Sequence, residues 1–176
     1  MHKQIISGVL MLAFLSVGSL ACAQSHEDIS ATLSCKYCGM DRHAFAHSRM
    51  VIEYDDGTAV GVCSLHCAAI DLSLNIDKTP RIIRVGDYNT KMLVDAEKAA
   101  WVVDPAKPGV MTRTAKWAFA KQEDAAKFTQ GNGGHLATFD DCLKAAYEGM
   151  YADLKMIREK RHAMKMKSGG HTHKAQ

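Results

Sequence analysis

Between residues 50 and 140 the apolar residues fall into short runs separated by turn-forming residues. Met50-Val51-Ile52-Glu53-Tyr54 reads as a strand, Asp55-Asp56-Gly57 as a hairpin turn, and Thr58 to Cys63 as the return strand. Ser64 stands where a helix N-cap belongs, and Cys67, Ile70 and Leu74 fall at helical spacing on one face of a helix ending near Asn75. Pro80 closes the connection, and Arg81 to Val85 forms a third strand. The order then recurs. Ala100 to Asp104 is a strand, a Pro-Gly loop runs from Pro105 through Met111, and Trp117 to Ala120 is the next strand. Gln122 to Gln130 is helical, Gly131 to Gly134 stops it, and His135 to Thr138 is strand-like. A repeated β-β-α-β order, on a loose sequence match, predicts an internal duplication.

A different period follows. Thr138-x-x-Asp141 has the form of a helix-starting cap, and Leu143, Tyr147, Met150, Leu154 and Ile157 alternate spacings of four and three. This predicts a C-terminal amphipathic helix. Arg158 to Lys167 is charged all round and is expected to project or fray. The fold class is therefore α+β: two β-β-α-β repeats, at 34–90 and 91–140, then a helix over 141–167 and a disordered His-containing tail over 168–176.

The start of the chain has another character. His2 and Lys3 precede a mostly apolar run from Ile5 to Leu20, too short and too early for a spanning helix, which reads as a secretory leader over 1–22. Two cleavage readings compete. Ser19-Leu20-Ala21-Cys22 resembles a lipobox in which Cys22 becomes the lipidated first residue, although Leu usually sits one place earlier. Ala21-Cys22-Ala23 also satisfies the rule for ordinary cleavage before Gln24. Either places the mature protein outside the cytoplasm, on the periplasmic side of a bacterial membrane. The polar residues 23–33 then read as a flexible tether.

Composition narrows the function. Of 176 residues 47% are hydrophobic, which permits a buried core, and the net charge of +3 is too small to imply a nucleic-acid partner. No nucleophile–base–acid set, phosphate loop or dinucleotide fingerprint is visible, so an enzyme is not expected. The chemistry is concentrated in Cys35-Lys36-Tyr37-Cys38-Gly39-Met40 and Cys63-Ser64-Leu65-His66-Cys67. Thiolate and thioether are soft donors that select Cu(I) or Zn over Mg or Ca. Gly39 lets the Cys-x-x-Cys turn close, and one hairpin between Cys38 and Cys63 returns the chain to it. The expected metal ligands come from Cys35, Cys38, Met40, Cys63 and Cys67.

Other readings stay open beside this one. Four cysteines would also make a structural zinc site, and an oxidising compartment would allow two disulfides and a spare thiol among these four and Cys142. Met40 favours copper, because zinc sites rarely use thioethers, but it could equally fill a core. His66 is either a further ligand or an exposed residue on the helix flank. His43 and His47 read as surface residues, while Met111, a loop residue unremarkable by itself, stands with His66 among the candidate metal ligands. Met156, His162, Met164 and Met166, with His171 and His173 beyond, form either a weak copper-collecting segment or a stretch without function.

At these residues the chain resembles the NosL family, accessory copper lipoproteins of nitrous oxide reductase assembly. The matching pieces are Cys35-x-Tyr37-Cys38-Gly39-Met40, the Asp56-Gly57 hairpin, Cys63-Ser64-x-x-Cys67, Met111, Trp117 to Phe119, the Glu123 to Phe128 helix and Gly133-Gly134. The resemblance covers about residues 33–145. It implies two β-β-α-β repeats, an arrangement shared with organomercurial lyases, and Cu(I) delivery to a client copper enzyme or another carrier rather than catalysis. The cysteine spacing also resembles small metal-binding domains of the TRASH and YHS type. The long Met/His-containing C-terminus goes beyond the shared core.

Overall fold

The computed structural model describes residues 26–169; the leader, Cys22 and the tail with His171 and His173 lie outside the described residues. The first sheet is antiparallel, in the order β2-β1-β3-β4, from β1 (Met50–Tyr54), β2 (Ala59–Val62), β3 (Pro80–Gly86) and β4 (Leu93–Asp95). The expected hairpin joins β1 to β2: Gly57 takes φ +81°, and Asp56 Oδ1 accepts from the Thr58 amide at 2.9 Å. Met50 pairs with Val62 on one side and Val85 on the other. Met50, Ile52 and Val62 are fully buried, and burial of each such side chain contributes about 1.5–3 kcal/mol.

The second sheet, β6-β5-β7, repeats the plan with β5 (Ala100–Val103), β6 (Lys116–Phe119) and β7 (His135–Ala137). In both sheets the first strand is central, its hairpin partner lies on one side, and the strand after the helix lies on the other. The helices are α2 (Leu65–Leu74) and α3 (Gln122–Asn132). The first sheet, however, runs past residue 90. Strand β4 adds to it through a turn in which Asp87 Oδ2 accepts from the Thr90 amide at 2.7 Å. Asp87 Oδ1 also accepts from the Ala120 amide at 2.8 Å, so this buried carboxylate ties the β3–β4 turn to the second repeat. The Arg49 carbonyl and the Gly86 amide, 2.8 Å apart, bring β3 close to the 41–48 loop. A Cβ on Gly86 would stand 2.1 Å from the Ala46 carbonyl oxygen, so only glycine fits there.

Of the expected tether, the described residues 26–33 are drawn into the fold. Glu27–Ala31 forms a short helix, α1, whose Ile29 is buried. Asp28 bonds Arg42 Nη2 at 2.8 Å, and Arg49 Nε and Nη2 at 2.8 and 3.0 Å. Both arginines are buried. Arg42 also donates to the carbonyls of Asp28 and Thr32 at 2.6 and 2.7 Å, and Arg49 to those of Ala46 and Lys91 at 2.8 and 2.6 Å. A polar segment was drawn into the fold because two buried cations needed a carboxylate.

Helix α4 (Phe139–Gly169) starts on the expected cap: Asp141 Oδ2 accepts from the Thr138 amide at 3.0 Å and Thr138 Oγ1 from the Asp141 amide at 3.2 Å. Its buried face takes in most of the expected one: Leu143 and Met150 pack against the core, Leu154 is half-buried and Ile157 buried, and only Tyr147 of that set is exposed. Phe139, Cys142, Ala146 and Asp153 are buried as well. Asp153 broke the apolar pattern, yet it is buried and accepts from the Arg113 amide at 2.8 Å. In helix α2 the buried face is rotated: Cys67, Ala68 and Asp71 are buried, while Leu74 is 67% exposed.

Candidate metal centre

The site is assembled by three elements: the 35–40 knuckle, the end of β2 and the first turn of α2. In the knuckle the Gly39 amide donates to the Cys35 carbonyl at 2.9 Å and the Cys35 amide to the Met40 carbonyl at 2.8 Å. Gly39 sits at φ +73°, which lets the turn close. The Lys36 amide donates to the Gly61 carbonyl at 3.3 Å, laying the knuckle against β2 two residues before Cys63. Helix α2 begins directly after Ser64, so Cys67 returns to the Cys63 side one turn later. Ser64 occupies the N-cap position, but its hydroxyl makes no cap bond and lies 3.7 Å from Cys63 Sγ.

The four sulfurs of Cys35, Cys38, Cys63 and Cys67 all lie within 4.8 Å of one another. Cys38 and Cys63 Sγ are 3.4 Å apart, and Cys63 and Cys67 Sγ 3.8 Å. These are contacts rather than bonds, since a disulfide would be about 2.05 Å; all five described cysteines are free thiols. A metal–sulfur distance of about 2.3 Å gives a sulfur–sulfur edge of about 3.8 Å in a tetrahedron and about 4.0 Å in a trigonal plane. The observed cluster therefore fits one soft ion. Cys35, Cys63 and Cys67 are 3%, 0% and 1% exposed, and Cys38 is half-buried.

The thiols share their charge unequally. Hydrogen bonds from Cys38, then from Cys63 and Cys67, hold the Cys35 thiol far below its ordinary value. Cys63 and Cys67 are pushed up, first by their hydrogen bonds to Cys35. Cys38 is lowered as well, so a cation entering the cluster must displace protons chiefly from Cys63 and Cys67, and binding strengthens as pH rises.

Asp71, four residues after Cys67, anchors the knuckle from behind. It accepts from the Tyr37 and Tyr54 hydroxyls and lies 3.2 Å from Lys36 Nζ. Burial, with the Asp71 carboxylate, pushes both phenols up, so they remain donors. The signal for this residue was a carboxylate at i+4 from a ligand-type cysteine, overlooked in favour of Ile70 and Leu74.

The remaining sequence candidates separate. Met40 and Met111 line one cavity of about 440 Å³ together with Cys38. His66 is buried and is not among the residues gathered at the cluster, so it is not an exposed flank residue. Its Nδ1 lies 3.3 Å from Asp153 Oδ2 without hydrogen-bond alignment, and burial lowers its pKa. His43 is exposed as expected, but His47 is half-buried, its ring 5.2 Å from that of Trp117. Cys142 is buried in the core and stands outside the cluster. Cys22 lies outside the described residues.

Residues 158–167 of α4 are all exposed, as expected of a projecting end, but part of this stretch borders the metal centre. Met156, Lys160, Arg161 and Met164 line the same cavity as Cys38, and Arg161 Nη2 donates to the Cys38 carbonyl at 3.1 Å. The periodicity that brings them there is i, i+4, i+8 across Met156, Lys160 and Met164, hidden in the sequence by the surrounding charges.

A solved structure described as the copper chaperone NosL from Shewanella denitrificans is similar in fold, with a TM-score of 0.52 and 21% identity. The match covers 64% of this chain and 90% of that one. No curated protein matches. The sequence profile of the family described as NosL matches residues 26–147, which takes in α1, the knuckle, both sheets and the first turns of α4. With well over half of the chain matched, and all four clustered cysteines inside the match, this protein belongs to the NosL family.

Proposed function

We propose that the protein is a copper carrier that takes Cu(I) at Cys35, Cys38, Cys63 and Cys67 and passes it to a copper enzyme, such as nitrous oxide reductase, or to another carrier. The observation behind this reading is the cluster itself: four sulfurs within 4.8 Å, three buried and one half-buried beside a methionine-lined cavity. The soft donor set suits Cu(I). Membership of the NosL family and the similarity to a chaperone of that name support copper as the cargo and transport rather than catalysis as the role. The ion is the cargo here, so the chain's own part is to hold it, exclude water and present it at Cys38. Thiolate exchange does the transfer: an incoming donor binds at the Cys38 side before the buried sulfurs let go.

The decisive experiment is competition for Cu(I) against a chelator under reducing, anaerobic conditions, with wild type and Cys38→Ser. Removal of an outer-sphere partner costs a metal site about 10–100-fold in affinity, and loss of a direct ligand is expected to cost at least that much. Unchanged affinity in Cys38→Ser removes the central residue of the proposal. A second reading has one observation in its favour, because four mutually close thiols are also a closed structural-zinc donor set. Stoichiometric zinc that survives chelation, in protein isolated from the periplasm, would select it.

We further propose that the carrier works on the periplasmic side of a bacterial membrane, held there by a lipid on Cys22. The Ser19-Leu20-Ala21-Cys22 sequence ending an apolar run supports this. Among the described residues no helix is long and apolar enough to cross a membrane. Mass spectrometry of the mature N-terminus decides it: an unmodified chain beginning at Gln24 leaves the carrier untethered.

A further inference from the structure

We infer that α4 completes a second, weaker soft-metal site in the cavity above Cys38, built from the thioethers of Met156 and Met164 facing those of Met40 and Met111. It rests on the copper reading above for the identity of the ion.

Eleven residues line this cavity of about 440 Å³, and four of them are methionines. The whole chain has ten methionines, so the concentration is local. The four come from three separate pieces of chain: the knuckle, the loop before β6, and α4. Met111 holds φ +60°, a conformation that residues with a side chain rarely adopt. Packing gives no account of Met164. It is 67% exposed, so it gains little from burial, yet it stands at the mouth of the cavity. A hydrocarbon would serve equally well as wall material, and only three of the lining residues, Phe45, Val110 and Ile157, provide one.

The chemistry sets the rank of the two sites. Thioethers are neutral and need no proton displaced, so they accept Cu(I) at any pH at which the protein is folded. They also offer no charge, and the Lys160 and Arg161 cations at the same cavity oppose a cation there. Arg161 is partly spent on the Cys38 carbonyl. The site is therefore weaker than the thiolate cluster, and an ion on it stands next to the Cys38 sulfur that draws it inward. Met156 and Met164 lie beyond residue 147, the end of the family match, so this half of the site belongs to α4's own extension.

The probe is Ag(I), a redox-silent soft monovalent cation, titrated into the purified protein labelled with ¹³C at the methionine methyls. The first equivalent is expected to leave the Met156 and Met164 methyl signals in place, and the second to shift them. Met156→Leu/Met164→Leu, which keeps the apolar volume, is expected to bind one equivalent, with its affinity against a chelator unchanged. A double variant that binds two equivalents as wild type does, or methyl signals that stay still throughout, would overturn the second site. Failure of the cysteine reading looks different: Cys63→Ser would then retain the tight equivalent, whatever the methionines do.

Discussion

Asp28 is the sharpest test of how the knuckle is held. Replacing it with Ala leaves Arg42 and Arg49 buried without their shared carboxylate, their side chains 0% and 2% exposed. Breaking a buried pair by removing one partner costs about 3–5 kcal/mol, because the other charge stays behind. Four backbone carbonyls remain to the two guanidiniums at 2.6–2.8 Å, which argues for the lower half of that range. For a chain of this size, about 3 kcal/mol lowers the Tm by roughly 6–12 °C. The pH dependence carries its own signature. Burial alone would raise the Asp28 pKa; Arg49 and Arg42 outweigh it and hold it below its ordinary value. A depressed carboxylate contributes stability that is present above its unfolded pKa, about 3.9, and is lost as pH falls through the folded value. Wild type should therefore lose this contribution in acid, whereas Asp28→Ala has already lost it at neutral pH. The difference in urea midpoint between the two proteins, large at pH 7, should narrow below pH 4. A variant within about 1 kcal/mol of wild type at pH 7 would mean that water solvates the arginines and that α1 is the dispensable tether its sequence suggested.

The remaining expectations are briefer. Gly61→Ala places a Cβ 2.6 Å from Arg42 Cζ, and that side chain is locked by carbonyls, so urea unfolding should show a loss of about 1–3 kcal/mol. Burial, then Lys91, lowers the His47 pKa, so its contribution is intact above about pH 6.5 and is lost as pH falls through the folded value; the stability lost between pH 7.5 and pH 5 should be smaller in His47→Gln. Burial pushes the Cys142 thiol up to about 12, whereas the half-buried Cys38 thiol is held below its ordinary value, so in timed alkylation of metal-free protein Cys38 should react well before Cys142.

The duplication was legible because both repeats obey local rules. The Asp56-Gly57 turn, the strand runs and the Gly133-Gly134 stop each have a short-range cause, and both sheets put their first strand in the centre. The cysteine cluster was legible because one hairpin separates its halves. Buried charges were not. No local pattern marks Asp28, Asp71 or Asp153, yet each is turned inward by a partner distant in sequence: Arg49, Tyr54 and Arg113. Periodicity counts such residues as polar, so the expected faces took in Leu74 of α2 and Tyr147 of α4, both exposed, and passed over Asp71 and Asp153. Strand β4 was missed for a related reason. Three half-buried residues after a turn carry too little pattern to announce a strand, and the pairing with β3 supplies the rest.

The distribution of burial decides from which side an ion can be exchanged. A metal held by the four sulfurs is walled by β2 and α2 around Cys63 and Cys67 and by the Asp71 anchor behind the knuckle. Only Cys38 faces open space, and that space is the cavity lined by α4. An incoming donor therefore meets Cys38 first, across a methionine surface, with Arg161 fastened to the same residue's carbonyl. The holding side of the centre lies wholly inside the family match at 26–147, while Met156, Lys160, Arg161 and Met164 on the access side lie outside it. Grip and access are thus set by different parts of the chain. Substitutions along α4 beyond residue 147 should change how fast an ion enters or leaves far more than how tightly it is held, because they alter the path to Cys38 and leave the sulfur–sulfur distances untouched.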